Sequence, residues 1–168
     1  MSTGLSGVDR GFLERAIAIS RHALEDEGKT PFGAIIVIDG EVVAEGTSSV
    51  IELRDPTAHA EVMALRHAGA KLQRHLLEDA TMYASSEPCP MCLVACYWAR
   101  LPRLVFGATS YDVATFGFED LQFYKDLANA AGRKFIKEEG ADGTLHAEAT
   151  NVLRAWATQL STPVESKY

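Results

Sequence analysis

Residues 86–92 read Ser-Glu-Pro-Cys-Pro-Met-Cys, and Cys89 and Cys92 are two of only three cysteines in the chain. A close cysteine pair can be a redox switch, a metal clamp or a piece of core packing. A third donor favours the clamp, and His59, in Thr57-Ala58-His59-Ala60-Glu61, is the candidate. One His and two Cys make a three-ligand zinc set whose fourth tetrahedral position stays open for water. Zinc held that way lowers the pKa of water toward ~7 and makes hydroxide available. A nearby carboxylate that is not a ligand can then accept and deliver protons. Glu61, two residues after His59, is the candidate shuttle.

These residues need elements that bring them together. The apolar spacing of Phe12, Leu13, Ala16, Ile17, Ala23 and Leu24 predicts a helix over 9–27, ended by Gly28. GAIIVI at 33–38 reads as a buried strand. Asp39-Gly40 is a two-residue hairpin signal, with a second strand over 41–45. After a polar loop, Asp55-Pro56-Thr57 opens a helix, with Asp55 as its cap and Pro56 in its first position, running to about Ala68. A third strand follows over 81–85. Pro88 and Pro90 frame a third helix over 91–99, and a fourth strand covers 103–108. A helix over 120–130, a strand over 134–137, an amphipathic helix over 144–160 and a tail over 161–168 complete the reading.

Strands alternating with helices predict an α/β fold, three-layered α/β/α, with a mixed five-stranded sheet in one domain over 1–168. His59 and Glu61 then fall in the first turn of the second helix, and the cysteines in the first turn of the third. Helix N-termini that follow neighbouring strands lie at one sheet edge, where helix amides and the helix dipole favour thiolates.

Composition narrows the function classes. A chain of 168 residues, 47% hydrophobic and 23% charged, suits one domain with a full core. The N-terminus lacks a basic start followed by an apolar run, and no stretch approaches the ~20 apolar residues of a membrane span. Three cysteines are too few for a disulfide framework. A reducing cytoplasm is the expectation, with no membrane partner. Sixteen basic against 23 acidic residues give net −7, and Arg66, Lys71, Arg74, Arg100 and Arg103 are scattered. A nucleic-acid partner is therefore not expected, and a small-molecule substrate is.

Blander readings stand beside these. His59 alone could be a satisfied helix-end histidine. Cys96 shares a helix face with Cys92, so a closed four-ligand structural zinc is conceivable, but Cys96 sits one turn deeper, where a small core residue is the commoner use. Phe32 is core or pocket wall, with stacking on a flat ring as the functional alternative. A thiol–disulfide protein and a non-catalytic zinc-stabilised interaction domain remain competitors.

His-Ala-Glu, twenty-six residues, then Pro-Cys-x-x-Cys is the signature of the zinc-dependent base deaminases. The chain resembles the cytidine deaminase superfamily from about Phe12 to Phe106, with PFGAIIV, DPTAHAEV, SEPCPMC and YWAR in order. Within it, the resemblance is strongest to bacterial guanine deaminases. That resemblance implies guanine conversion to xanthine and ammonia by one zinc per subunit. It also implies a substrate contact from the Ala60 amide and another from Asp120, in Gly117-Phe118-Glu119-Asp120. Asp120 could instead only cap the helix after it. The resemblance further implies a homodimer in which the tail, about 161–168, closes the site through Tyr168 and is exchanged between subunits. Tyr168 could equally end a tail without a role. One departure stands out. Many deaminases of the superfamily carry a substrate-binding Asn eleven residues before the zinc His; here that residue is Ser48. Zinc and Glu61 would still perform the chemistry, but the substrate opens to another aminated heterocycle, such as a pterin, a triazine or a nucleoside. A tRNA adenosine deaminase shares both motifs; the net charge and the missing basic C-terminal helix speak against it.

Overall fold

The computed structural model describes residues 4–26, 28–129, 136–141 and 143–162. Ser6 opens the first helix, α1 (Gly7–Ser20), by a capping box in which the Ser6 and Asp9 side chains each bond the other's backbone amide. One 3₁₀ turn, Arg21–Leu24, continues it, so the long expected helix ends seven residues early as α-helix. Asp39 and Gly40 take positive φ, 50° and 79°, as a tight two-residue turn requires. They join β1 (Gly33–Ile38) to β2 (Glu41–Thr47). The other strands are β3 (Ala80–Ser86) and β4 (Arg103–Ala108).

The sheet order is β2-β1-β3-β4. β1 is antiparallel to both β2 and β3, and β3 is parallel to β4. The sheet is mixed, as expected, but it has four strands among the described residues rather than five. The fifth was expected over 134–137; residues 134 and 135 lie outside the described residues, and Ile136 and Lys137 join no strand. Ile136 is exposed, and Glu138-Glu139-Gly140 follows, a run with neither an apolar face nor strand propensity.

Period-two alternation divides the sheet into two faces. Ala34, Ile36, Met82 and Ala84 pack with Ala60, Ala64 and Ala68 of α3 (Ala60–Leu72) and Cys96 of α4 (Pro90–Trp98). Ile35, Val37, Tyr83 and Val105 pack with Ala16 and Ile19 of α1. This is the expected three-layered α/β/α arrangement. Gly46 allows α3 to lie close on β2, because a Cβ there would run into the Ala60 carbonyl. Three short or later helices complete this part: α2 (Val50–Leu53), α5 (Ser110–Thr115) and α6 (Asp120–Ala128). By contacts the chain forms two compact units, 1–132 and 133–168. The second contains α7 (Gly143–Thr158), amphipathic through Leu145, Val152, Leu153 and Trp156.

The strands that lead to α3 and α4 are not neighbours, contrary to the expectation. β1 lies between β2 and β3 and runs against both, so β2 and β3 point the same way. Their following helices therefore begin at one edge of the sheet. The start of α3 is also later than expected. Asp55 does not cap it: its carboxylate accepts from the Thr57 amide at 2.8 Å and the Thr57 hydroxyl at 2.6 Å, a local turn that competes with helix. The helix begins at Ala60, with His59 as its N-cap.

Candidate metal centre and active site

His59 is the N-cap of α3, extended with φ −69° and ψ 156°, and its side chain makes no capping bond to the helix. Cys89 holds the same position in α4, with φ −63° and ψ 167°, and Pro90 occupies the first helical position. Cys92 follows within that first turn and is fully buried. Nδ1 of His59 lies 3.7 Å from Sγ of Cys89, and the two sulfurs lie 3.6 Å apart. The three donor atoms all fall within 4.8 Å of one another. A tetrahedral zinc with bonds of about 2.0–2.3 Å needs ligand atoms about 3.3–3.8 Å apart. The set fits zinc in donor type and spacing, and it leaves one position open. Cys96 is not part of it: its sulfur sits in the core, 3.7 Å from that of Met82, where burial pushes the thiol up to about 12.

The three donors do not hold their protons alike. Hydrogen bonds from Cys92 and His59 pull the Cys89 thiol down to about 4. Cys92 moves the other way, through its hydrogen bond with Cys89 and its burial. The contact with Cys89 raises His59. Glu61, the second residue of α3, is buried at 5% exposure, and burial first, then the Cys89 charge, push its carboxyl up to about 7.

His59, Glu61 and Cys89 line a cavity of about 180 Å³ together with Thr30, Phe32, Ser48, Val50, Ile51, Ser86, Phe118 and Asp120. Most of the expected site residues thus meet in one place. Phe32 is on the wall, ring to ring with Phe118 in an edge-to-face pair at 4.9 Å. Ser48 is buried and hydrogen-bonded to Thr30. Asp120 is the first residue of α6, not its cap, which is Glu119; burial and the Cys89 charge raise its carboxyl. Ala60 is the first residue of α3, so its amide belongs to the end of the helix that lacks intrahelical partners. Tyr168 lies outside the described residues, as does the tail from 163 onward.

Three contributors escaped the sequence reading. Phe118 was read only as part of a short motif. Thr30 carries no signal beyond being a Thr before a Pro. Tyr124 sits one turn after Asp120, and its hydroxyl donates to the Pro88 carbonyl at 2.7 Å, tying α6 to the loop that presents Cys89.

Residues 7–108 match the zinc-binding region of the cytidine and deoxycytidylate deaminases. The chain belongs to that family. It is a zinc-dependent hydrolytic deaminase of the cytidine deaminase fold. The guanine deaminase of Bacillus subtilis is 43% identical over 125 residues, covering 74% of this chain and 80% of that protein. The crystal structure of guanine deaminase from Bacillus subtilis superposes with a TM-score of 0.82 at 36% identity, covering 96% of this chain and 99% of that one. A tRNA-specific adenosine deaminase of Buchnera aphidicola is 39% identical over 108 residues, covering 64% of this chain and 71% of that protein. Among the described residues no helix is long and apolar enough to cross a membrane.

Proposed function

We propose that this deaminase hydrolyses the exocyclic amine of guanine, giving xanthine and ammonia. The observation that carries the reading is one small cavity that brings Glu61 and Asp120, two carboxylates with raised pKa, together with His59, Cys89 and the packed Phe32–Phe118 pair. A flat ring with an amine and ring N–H groups fits that set, and the resemblance to the Bacillus subtilis enzyme extends over nearly the whole chain.

His59, Cys89 and Cys92 are the zinc ligands, and the zinc acidifies water so that hydroxide is available near neutral pH. Phe32 stacks on the ring. The Ala60 amide holds a substrate acceptor, Asp120 accepts from the amine or a ring N–H, and a Ser48 hydroxyl contacts the far side of the ring. Glu61 takes the proton of the attacking water as hydroxide adds to the carbon bearing the amine, and gives it to the adjacent ring nitrogen. It then carries the proton of the new hydroxyl to the amine, which leaves as ammonia. Burial raises Glu61 toward neutrality, which suits a group that must both accept and donate. The chain works as one deaminase domain over 1–168. It acts in the cytoplasm as a homodimer, with Tyr168 closing the site on an exchanged tail and no nucleic-acid partner.

The test is ammonia release by zinc-loaded protein on guanine, adenine, cytosine, cytidine, guanosine, aminopterins and aminotriazines, with the product identified as xanthine. Guanine as the best substrate supports the reading. Turnover only of another heterocycle overturns it. A second reading, tRNA adenosine deamination, has the Buchnera resemblance in its favour and the net charge of −7 against it. Inosine formation in a tRNA anticodon stem-loop without turnover of any free base would establish that alternative.

A further inference from the structure

The hydroxyls of Thr30 and Ser48 lie 2.5 Å apart, on the wall of the cavity that also contains Glu61 and Asp120. The backbone holds them there: the Ser48 amide donates to the Phe32 carbonyl at 3.3 Å, joining the end of β2 to the start of β1. The strand order places the pair relative to the metal group. Ser48 follows β2 and Thr30 precedes β1, whereas Cys89 follows β3, on the other side of β1. A ring that presents its reacting carbon beside Cys89 and Asp120 turns its opposite edge toward the two hydroxyls.

Two hydroxyls in contact share two hydrogens, and one of them lies between the oxygens. Against a ring acceptor, the facing hydroxyl donates to the ring and accepts from its partner. Against a ring donor, it accepts from the ring and gives its own hydrogen to its partner. In the second arrangement the partner's own hydrogen is left to turn away from the ring, which the half-buried Thr30 can do toward solvent and the buried Ser48 cannot. A lone hydroxyl does not have this freedom. Facing a ring donor, it must aim its hydrogen at an apolar wall such as Val50, Ile51 or Phe32.

We propose that Thr30 and Ser48 form one reversible donor–acceptor unit that reads the ring edge remote from the reacting amine. The site then takes 2-aminopurines whether C6 bears an oxo or an amino group. The proposal rests on the purine reading above and gives Thr30 a specificity-determining role.

The experiment compares kcat/KM for guanine, which yields xanthine, and for 2,6-diaminopurine, which yields 6-amino-2-oxopurine, each with one ammonia. The zinc-loaded protein is expected to turn over both, since the facing hydroxyl reverses to suit either C6 group; the two purines also differ at N1, so the contribution of the hydroxyl pair is read from the variants. Two variants, Thr30→Val and Ser48→Ala, are measured alongside, with zinc content and thermal unfolding as checks of folding. Removing the hydroxyl behind leaves its partner unpaired against a donor edge, so the diaminopurine falls about 5- to 100-fold relative to guanine. Removing the facing hydroxyl lowers both substrates alike, which identifies it. The inference is overturned if neither folded, zinc-loaded variant changes the ratio, or if both variants lower the two substrates alike. In both cases guanine turnover keeps the purine reading intact. Turnover of neither purine removes that reading and the inference with it.

Discussion

His59 and Cys89 hold the same position in two different helices. Each is an N-cap residue in an extended conformation, and neither side chain caps its own helix. Their donor atoms point at each other instead, 3.7 Å apart. An N-cap is a good place for a ligand, because its side chain stands clear of the helix end while the backbone behind it is rigid. It is also where Ser, Thr, Asn or Asp would stabilise the helix by about 0.5–2 kcal/mol. The site thus forgoes local stability in each of two helices.

A substitution that restores a cap should expose this conflict. Cys89→Ser places a good capping residue at the start of α4 and removes a metal ligand. Chelator-treated Cys89→Ser protein is expected to be more stable than chelator-treated parent by about 1 kcal/mol, while its zinc content and activity fall. Zinc should raise the melting temperature of the parent, since a ligand that binds only the folded state stabilises it. Thermal unfolding with and without chelator, together with zinc stoichiometry, tests both statements. A variant that keeps one zinc per chain would exclude Cys89 as a ligand.

Glu61→Gln separates catalysis from structure. Gln keeps the shape of the buried side chain but cannot carry a proton. Zinc should stay at one per chain, and kcat should drop by about 10²- to 10⁴-fold, the usual contribution of a general acid–base group. Retained activity in a zinc-loaded variant would assign proton transfer to another group, and lost zinc would place Glu61 among the ligands.

Much of this site was legible in the sequence because the metal chemistry restricts residue type and spacing. His-Ala-Glu and Pro-Cys-x-x-Cys point to the three donors and the buried carboxylate, and the apolar run at 33–38, the Asp39-Gly40 hairpin signal and the alternation of strands with helices locate the four strands found among the described residues. Other features left weaker traces. Asp55-Pro56-Thr57 carries a helix-start signal, yet the Asp55 carboxylate is drawn into a turn with Thr57 and the helix waits until Ala60. The four-residue α2 and six-residue α5 are too short to show a period. Lys-Phe-Ile-Lys at 134–137 is a short apolar pair between two lysines, too brief to be distinguished from loop. Thr30 and Tyr124 act through contacts with Ser48 and Pro88, 18 and 36 residues away in the chain, and no local pattern reports such pairs.

Asp9 ties α1 to the sheet on the face away from the site. Its carboxylate accepts from the Tyr83 hydroxyl at 2.7 Å and from both terminal nitrogens of Arg103, at 2.7 and 2.9 Å, while also serving the Ser6 capping box. The Arg103 bonds foremost, then Tyr83 and Ser6, hold its pKa well below the usual carboxylate range. A carboxylate lowered in the folded state adds stability that is complete above its unfolded pKa, about 3.9, and is lost as the pH falls below that value. Asp9→Asn should therefore be less stable than the parent at pH 7, and the difference should shrink progressively below about pH 4. Asp55, Asp79 and Asp112 are lowered as well and titrate in both proteins, so the informative quantity is the difference between the two urea midpoints. A difference that stays constant from pH 7 to pH 3 would mean that Asp9 acts through packing or its cap rather than through its charge.

Tyr124 connects the two halves of the site wall. It lies one helical turn after Asp120 on α6, and its hydroxyl donates to the carbonyl of Pro88, the residue before Cys89. Burial pushes its phenol up to about 12, so it remains a donor across the working pH range. Tyr124→Phe removes that bond and leaves the ring. Stability should fall by about 0.5–1.5 kcal/mol, the usual net value of one hydrogen bond. If the bond sets where Asp120 stands over the cavity, KM should rise by about 2- to 10-fold on the same energy scale, with kcat and zinc content nearly unchanged. Asp120→Asn should cost more, because it alters the contact itself. The KM change in Tyr124→Phe should be the same at pH 6 and pH 9, since the lost group does not titrate between them. A lower melting temperature with unchanged KM would show that the bond only holds α6 in place and does not aim Asp120.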